Sequence, residues 1–231
     1  MKTNGLLVLD EQRRVKFMEF FKKYNHMFYA VAGWLIFIAL FFSLKHLIKP
    51  RFFIHSKLDD QIPFVKEFFI VYCTWYLYLF VSLLYFGLRS KTDFTKLQAY
   101  LFTGMGICLL VFIVYPNAID FRPVVQQTDL LSRMIAYMFS FDVSTMVTPS
   151  MHVFASVSVH LSLYTSRLTK NNKVLLIFSF ILMSLICAST VFIKQHSVID
   201  VFWGIVLALI LYFPVYGFSN FKTAVKNHFK L

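Results

Sequence analysis

The sequence has few cysteines, and none is placed for a disulfide framework. Cys73, Cys108 and Cys187 all lie inside apolar runs, where a cysteine is best explained as a small packing residue. The cysteines therefore predict neither disulfide bonds nor a metal cluster. The sequence also has no internal repeat, no low-complexity segment and no small-residue pattern of a cleavable signal peptide. We expect the first apolar run to act as a signal anchor.

Charged residues are scarce and apolar residues dominate. Of the 231 residues, 58% are hydrophobic and 29 are Phe, and the mean hydropathy is +0.67, which excludes an ordinary soluble domain. Six nearly uncharged runs each approach the roughly 17 to 25 residues that a membrane-spanning helix needs. These runs are 27–44, 68–88, 97–115, 147–166, 174–193 and 201–218. Because their connections are short, we expect one all-α bundle of six transmembrane helices.

The segments that flank the six runs are charged. Within 8–24, the apolar residues Val8, Val15, Met18 and Phe21 recur at roughly helical spacing against a charged face, which predicts an amphipathic helix at the membrane interface. A solvated tail is the alternative. The expected organisation is an amphipathic cytoplasmic segment, a six-helix membrane catalytic domain and a basic cytoplasmic tail, at 1–26, 27–218 and 219–231.

Lys and Arg outnumber Asp and Glu by 23 to 11, but their distribution indicates a membrane partner and no nucleic acid. If six spans alternate across the bilayer, the side with both termini holds most of the Lys and Arg and a minority of the acids. The positive-inside rule then places both termini in the cytoplasm. We expect a multi-pass plasma membrane protein whose basic side attracts anionic lipid heads.

Two histidine motifs stand where apolar runs begin. One ends at His152, and in the other His196 is followed by Asp200, one helical turn later and on the same face. Ionisable groups are costly in a membrane, so these residues form a site hypothesis. Two histidines and a carboxylate suffice for phosphoryl transfer through a phosphohistidine. One histidine attacks, the carboxylate orients it, and the other protonates the leaving oxygen.

The segment before His152 has the composition of a helix N-terminus. Thr148 suits the N-cap and Pro149 suits the first turn, so we expect Ser150 and His152 within that turn. The unpaired N–H groups of a helix N-terminus bind anions. Arg122 precedes this segment in a loop. If the six spans alternate across the bilayer, this loop and both histidine motifs lie on the outer face. The guanidinium of Arg122 can clamp two phosphoryl oxygens.

In these motifs the chain resembles the type-2 phosphatidic acid phosphatase superfamily of membrane lipid phosphatases and phosphotransferases. That family carries three patches: Lys-x6-Arg-Pro, Pro-Ser-Gly-His and Ser-Arg-x5-His-x3-Asp. The corresponding segments here read Tyr115-x6-Arg122-Pro123, Pro149-Ser150-Met151-His152 and Ser189-Thr190-x5-His196-x3-Asp200. Their order and spacing agree with the family over less than half of the chain. Six spans with an outward-facing site are also the family's arrangement.

The resemblance implies a role for each matching residue. His196 would be the nucleophile, Asp200 its orienting partner, and His152 the acid that protonates the leaving group. The phosphate would be held by Arg122, Ser150 and the backbone N–H of Met151. The resemblance implies no metal and no other cofactor.

The chain departs from the family at two cations. Tyr115 stands where the family has Lys, and Thr190 where it has Arg, so two charge-assisted contacts of about 1.5–3 kcal/mol each are missing. Lys194 and Arg133 are the candidate replacements. The thinned pattern is similar to the sphingomyelin-synthase and inositolphosphoryl-ceramide-synthase branch, whose members move or cleave a phospho-headgroup. A phosphodiester carries less charge than a phosphomonoester and therefore needs fewer cations.

The expected function is hydrolysis of a lipid phosphate, such as phosphatidic acid or a polyprenyl diphosphate, through a phosphohistidine on the outer membrane face. A lipid phosphotransferase or a phospholipase-C-like enzyme is the alternative. A non-catalytic protein such as a transporter is a minor alternative, which the clustering of ionisable residues at one face disfavours. The expected partners are the lipid substrate and the bilayer. The sequence defines neither the acceptor nor the oligomeric state.

Overall fold

The computed structural model describes residues 2–142 and 144–217, and it is mostly helical, with 75% helix. The α-helices are α1 (Lys2–Leu47), α2 (Lys57–Gln61), α3 (Phe68–Arg89), α4 (Lys91–Val114), α5 (Leu130–Phe141), α6 (Met151–Thr165), α7 (Lys173–Phe192) and α8 (Val198–Tyr212). A π-helical turn, Phe213–Gly217, extends α8. The helical fold class expected from the sequence is therefore confirmed. The expected basic tail at 219–231 lies outside the described residues.

Five helical segments of the described chain are long and apolar enough to cross a membrane, which indicates a membrane protein. They are Phe17–Leu47, Phe68–Arg89, Lys91–Val114, Lys173–Phe192 and Val198–Gly217, and they correspond to five of the six expected spans. The run expected at 147–166 contains α6, which has only 15 residues. At 1.5 Å per residue α6 is about 22 Å long, shorter than a hydrocarbon core of about 30 Å. A count of six spans thus remains a prediction.

The first helix is continuous through the boundary expected near residue 26. α1 runs for 46 residues without a break, and its apolar part begins at Phe17, ten residues earlier than the expected start of the first span. Val15, Met18 and Phe21 are exposed. Lys and the aromatic residues of this region are compatible with helix, so nothing in the local sequence ends the helix before the apolar run.

The buried helix α6 lies at the centre of the bundle and contacts α3, α4, α7 and α8. Two glycines allow neighbouring helices to approach it. A Cβ atom added to Gly104 of α4 would lie 1.9 Å from the ring of Phe154, and one added to Gly204 of α8 would lie 2.9 Å from the carbonyl oxygen of Ser150. Small residues at such crossings let helix backbones pack closely. These crossings bring the N-termini of α6 and α8 together.

A short parallel ladder links the two connections that lie near those N-termini. The strand β1 (Phe52–Phe53) follows α1 and pairs with β2 (Asn117–Ala118), which follows α4. Helices α2 and α5 lie in the same two connections. The ladder therefore joins, at one end of the bundle, the segments that surround the two histidine motifs.

Candidate functional site

His196 and Asp200 meet at the N-terminus of α8. The Nδ1 atom of His196 lies 3.3 Å from Oδ2 of Asp200, and the same carboxylate oxygen accepts the N–H of Ser197 at 2.8 Å. Ser197 and Asp200 form a capping box, which fixes the first turn of the helix. Asp200 is fully buried and His196 is 7% exposed. Because Nδ1 faces the carboxylate, Nε2 is the nitrogen of His196 that remains for chemistry.

The second histidine lies beside the first. The ring centroids of His152 and His196 are 5.6 Å apart. The Nε2 atom of His152 lies 2.9 Å from the hydroxyl oxygen of Tyr72, and its ring packs 4.5 Å from that of Trp75. The structure thus brings the two predicted histidines together. Sequence reasoning did not single out Tyr72 or Trp75, because nothing in the local pattern distinguishes the rings that face the histidine.

The N-cap of α6 is Ser150, and the prediction of Thr148 as the cap is wrong. The helix begins at Met151, and the Ser150 hydroxyl accepts the N–H of Val153 at 3.4 Å. Pro149 therefore precedes the helix and does not occupy its first turn as expected. The Ser150 N–H donates to the carbonyl of Asp200 at 3.1 Å. Met151 is the first helical residue, so its N–H has no acceptor within the helix.

A buried asparagine explains why the helix starts after Pro149. The side-chain oxygen of Asn117 accepts the N–H groups of Val147 and Thr148 at 2.8 and 2.9 Å. Its amide nitrogen donates to the carbonyls of Tyr115 and Thr148 at 2.8 and 3.0 Å. Asn117 is 1% exposed, and these bonds hold Thr148 in a non-helical segment. Sequence reasoning did not single out Asn117, since Val147 and Thr148, the residues that it holds, are about 30 residues away.

Arg122 fixes the turn that precedes His196. Its guanidinium donates to the carbonyl of Lys194 at 3.3 Å, and also to the side-chain oxygen of Gln195 and the carbonyl of Asp142. Burial lowers the pKa of Arg122, and the nearby Asp142 carboxylate opposes this shift. Guanidinium has five N–H donors, so these contacts leave capacity for an anion. The predicted phosphate ligand Arg122 is thus attached to the turn that carries His196.

Lys194 and Arg133, the two residues predicted to replace the missing family cations, have other partners or are exposed. The Lys194 ammonium donates to the carbonyls of Asp59 and Ile62 at 2.6 and 2.5 Å. Its backbone has φ of +54°, a left-handed conformation that closes helix α7. Arg133 is exposed on α5, and no contact joins it to either histidine among the described residues. In the described structure, neither the Lys194 ammonium nor the Arg133 guanidinium contacts His152 or His196.

A residue that the sequence did not indicate holds the start of α8. The carboxylate of Asp59, in α2, accepts the Ser197 hydroxyl at 2.6 Å and the N–H of Val198 at 2.9 Å. It also accepts the N–H of Ser56 at 2.8 Å, and it is 1% exposed. The motif Ser56-x-x-Asp59 is a capping-box signature that could have marked the start of α2. The contact with α8 crosses 138 residues and leaves no local signal.

At the two positions where the resembling family has cations, the side chains have packing roles. The ring of Tyr115 stacks on Phe52 with centroids 4.3 Å apart. Thr190 is buried, and its hydroxyl donates to the carbonyl of Cys187 at 2.7 Å. Neither position supplies positive charge to the histidine pair.

An apolar cavity of about 440 Å³ lies against His152. Its lining includes the polar side chains of His152, Tyr72, Tyr76, Lys45 and Asp142. The apolar lining includes Trp34, Phe37, Phe41, Leu79, Met105 and Met138. This volume is in the usual range of about 300 to 1,000 Å³ for small-molecule sites. The cavity places an apolar space beside an ionisable cluster, as an amphiphilic ligand requires.

Comparison of the chain with models of protein families, with curated proteins and with solved structures finds no match. The assignment of function consequently rests on the residues and on their geometry. That geometry is a pair of adjacent imidazoles, one of them held by a buried carboxylate, at the edge of an apolar cavity in a helical membrane protein.

Proposed function

We propose that the protein is an integral membrane enzyme that hydrolyses a lipid phosphate through a phosphohistidine on His196. The observation that carries the proposal is the arrangement of His152, His196 and Asp200. The carboxylate faces Nδ1 of His196 at 3.3 Å, and the ring of His152 lies 5.6 Å from that of His196. Because the two rings lie in edge contact, a phosphoryl group on His196 would lie beside His152. The resemblance to the type-2 phosphatidic acid phosphatase superfamily supports the same roles.

In the first step, Nε2 of His196 attacks phosphorus and the bond from phosphorus to the lipid oxygen breaks. Protonated His152 gives its proton to that oxygen, so a neutral lipid alcohol leaves. The buried Asp200 carboxylate stabilises the positive charge that develops on His196 and holds its tautomer. In the second step, neutral His152 takes a proton from water, which attacks phosphorus. The P–N bond breaks, and inorganic phosphate leaves.

The environment of the two histidines supports the proposed roles of His196 as nucleophile and His152 as general acid and base. Tyr72 and Trp75 fix the ring of His152, which is required of a group that must deliver a proton to a defined atom. Arg122 holds the turn before His196 and retains N–H donors for phosphoryl oxygens. At the N-terminus of α6, Met151 presents its backbone N–H and the positive end of the helix dipole to an anion. Ser150 offers its hydroxyl proton, because its N–H already donates to Asp200.

The proposed topology has six spans, with α6 as the short central one. Both termini would be cytoplasmic, the N-terminal part of α1 would lie at the cytoplasmic interface, and the histidine site would face outward at the plasma membrane. Single cysteines at Val124 and Leu168, both exposed, test this topology in intact cells. An impermeant maleimide should label V124C before permeabilisation and L168C only afterwards, with the unsubstituted protein as background. The reverse order of labelling would contradict it.

A lipid phosphotransferase is the second candidate. The observation that favours it is that Tyr115 and Thr190 are uncharged and have packing contacts, because a phosphodiester needs fewer cations than a phosphomonoester. The two functions are separated by mass spectrometry of products from a lipid panel, with and without a lipid alcohol as acceptor. Release of inorganic phosphate from phosphatidic acid or polyprenyl diphosphate with water alone supports the hydrolase. Product formation only with the added alcohol supports the transferase.

A further inference from the structure

Lys45 is a buried cation that none of the sequence motifs includes. It lies in the last turn of α1, and its side chain is only 5% exposed. A lysine is rarely buried without a partner, and here the ammonium bonds to the carboxylate of Asp142. Its position near the end of the first membrane-spanning segment places positive charge on the helix that forms one wall of the cavity.

Lys45 and His152 line the same cavity. The cavity is otherwise dominated by aromatic and aliphatic side chains, so its few polar groups define where the polar part of a ligand can lie. A further donor is present beside His152. Nε1 of Trp75 is buried and has no hydrogen-bond acceptor among the described residues, although its ring packs 4.5 Å from the histidine. A buried donor without an acceptor requires an explanation, and a ligand oxygen supplies one.

Two cations converge on Asp142. Lys45 bonds to its carboxylate, whereas Arg122 donates to its backbone carbonyl. The Lys45 ammonium has three N–H donors, and within the described chain its hydrogen bonding is limited to Asp142. Two donors therefore remain for an anion. Because Arg122 contacts the backbone of Asp142, loss of the Asp142 charge would leave the Arg122 contact in place.

We infer that Lys45 binds the phosphate of the substrate and that the hydrocarbon chain of the same lipid occupies the cavity. The inference rests on the proposed function for the class of substrate. Tyr115 and Thr190 supply no charge, and the Lys194 ammonium is bound to two backbone carbonyls. Lys45 is the cation that shares a cavity with His152. The hydrocarbon chain of the lipid occupies the cavity because the cavity walls are apolar and extend along α1 from the end that binds the phosphate.

A set of four variants separates phosphate binding by Lys45 from a structural role. Lys45→Met should lower kcat/KM for a lipid phosphate about 10- to 100-fold, mainly through KM, whereas Lys45→Arg should stay within about 3-fold of wild type. Asp142→Asn frees the ammonium and should lower KM. The double variant Lys45→Met/Asp142→Asn removes the unpaired carboxylate and should remain as impaired as Lys45→Met. Recovery of activity in the double variant would show that Lys45 only neutralises Asp142, and would overturn the inference.

The matched control is Lys49→Met, since Lys49 is an exposed lysine four residues later, just after the end of α1. Its kinetics should equal those of wild type. A similar loss in Lys49→Met would attribute the effect of Lys45 to general surface charge, contrary to the inference.

Binding measured without turnover separates this inference from the proposed function. In a His196→Asn background, dodecylphosphonate should raise the melting temperature, and Lys45→Met should weaken its apparent affinity at least 10-fold. Dodecanol and inorganic phosphate should each bind far more weakly than the phosphonate, because each lacks one of the two groups recognised. Lys45-dependent binding combined with absence of lipid turnover in wild type would contradict the proposed function alone. Turnover in wild type with Lys45-independent phosphonate binding would overturn the inference alone.

Discussion

The carboxylate of Asp59 accepts a hydrogen bond from the hydroxyl of Ser197 at 2.6 Å, although 138 residues separate the two in sequence. Ser197 is the N-cap of α8 and directly follows His196. The connection that contains α2 therefore holds the helix terminus that presents the proposed nucleophile. This contact gives the connection between α1 and α3 a structural role at the start of α8.

Asp59→Ala should impair catalysis through the position of His196. The substitution removes the acceptor for Ser197 and Val198, and bonds to a charged acceptor contribute about 1.5–3 kcal/mol each. We expect a fall in kcat of about 10-fold or more with a smaller change in KM, together with a lower melting temperature. Steady-state kinetics on a lipid phosphate and thermal unfolding in detergent measure the two effects.

The conservative variant and a neighbouring residue serve as controls for Asp59. Asp59→Asn keeps one side-chain oxygen and should recover part of kcat. Asp60→Ala removes an exposed carboxylate that contacts only His55 in the described structure, and should leave kcat unchanged. Equal losses in Asp59→Ala and Asp60→Ala would argue against the positioning role.

Substitution of either site histidine should abolish turnover while the protein remains folded. His196→Ala removes the proposed nucleophile, and His152→Ala removes the proposed acid, so activity should fall by at least 10³-fold in both. His55→Ala, at an exposed histidine outside the cavity, should retain activity. Size-exclusion chromatography and thermal unfolding check that each variant is folded. Near wild-type activity of His152→Ala or His196→Ala on every lipid tested would exclude the mechanism.

Local sequence patterns were sufficient for most of the long helices and for the contact between His196 and Asp200. Long apolar runs predicted six spans, and five of them correspond to helices long enough to cross a membrane, although the first begins ten residues before its expected start. The spacing of His196 and Asp200 predicted their contact. Both are effects of neighbours along the chain, where helical periodicity decides. The start of α6 was misplaced because Asn117, about 30 residues away, holds Thr148 outside the helix.

Long-range contacts account for the rest of the site. Lys45 pairs with Asp142 across 97 residues, and Tyr72 meets His152 across 80. Neither pair has a sequence spacing that a helix or strand would generate. Lys194 was predicted to bind phosphate because it lies two residues before His196 in sequence. Its side chain instead donates to two backbone carbonyls in the connection between α1 and α3. Tertiary packing determines these side-chain partners, so a local sequence pattern does not predict them.

Gly104→Ala should destabilise the contact between α4 and α6. The added Cβ would lie 1.9 Å from the ring of Phe154, which is fully buried, so the helices must separate or the ring must move. Overpacking of this kind costs about 1–3 kcal/mol. Gly106→Ala is the matched control, because an added Cβ there meets nothing within 4 Å and alanine favours helix. Thermal unfolding should show a lower midpoint for Gly104→Ala only; equal midpoints for the two variants would contradict this packing.

The ion pair between Lys66 and Asp129 predicts a pH-dependent attachment of α5. The hydrogen bond from Lys66 lowers the pKa of Asp129 to about 2 and raises the pKa of Lys66. A depressed carboxyl pKa stabilises the fold above its ordinary value near 4, and this stabilisation is lost as pH falls towards 2. The raised pKa of Lys66 stabilises the fold below its ordinary value of about 10.5, and this stabilisation is lost as pH rises above that value.

Melting temperatures of wild type and Asp129→Asn between pH 2 and pH 7 test this linkage. Asparagine retains the N-cap function of Asp129 and removes only its charge. The difference in melting temperature should be present at pH 7, should shrink below pH 4, and should be small because both side chains are partly exposed. It should also decrease with added salt. A difference that is independent of pH would contradict the pairing.

Trapping of the phosphorylated enzyme tests the central claim most directly. Wild type mixed with a ³²P-labelled lipid phosphate and quenched within milliseconds should carry phosphate that is labile in acid and stable in alkali, as expected of a phosphoramidate. Mass spectrometry should locate this phosphate on His196, and His196→Ala should carry none. Lipid turnover by wild type without labelled histidine, or with the label on another residue, would contradict the phosphohistidine mechanism.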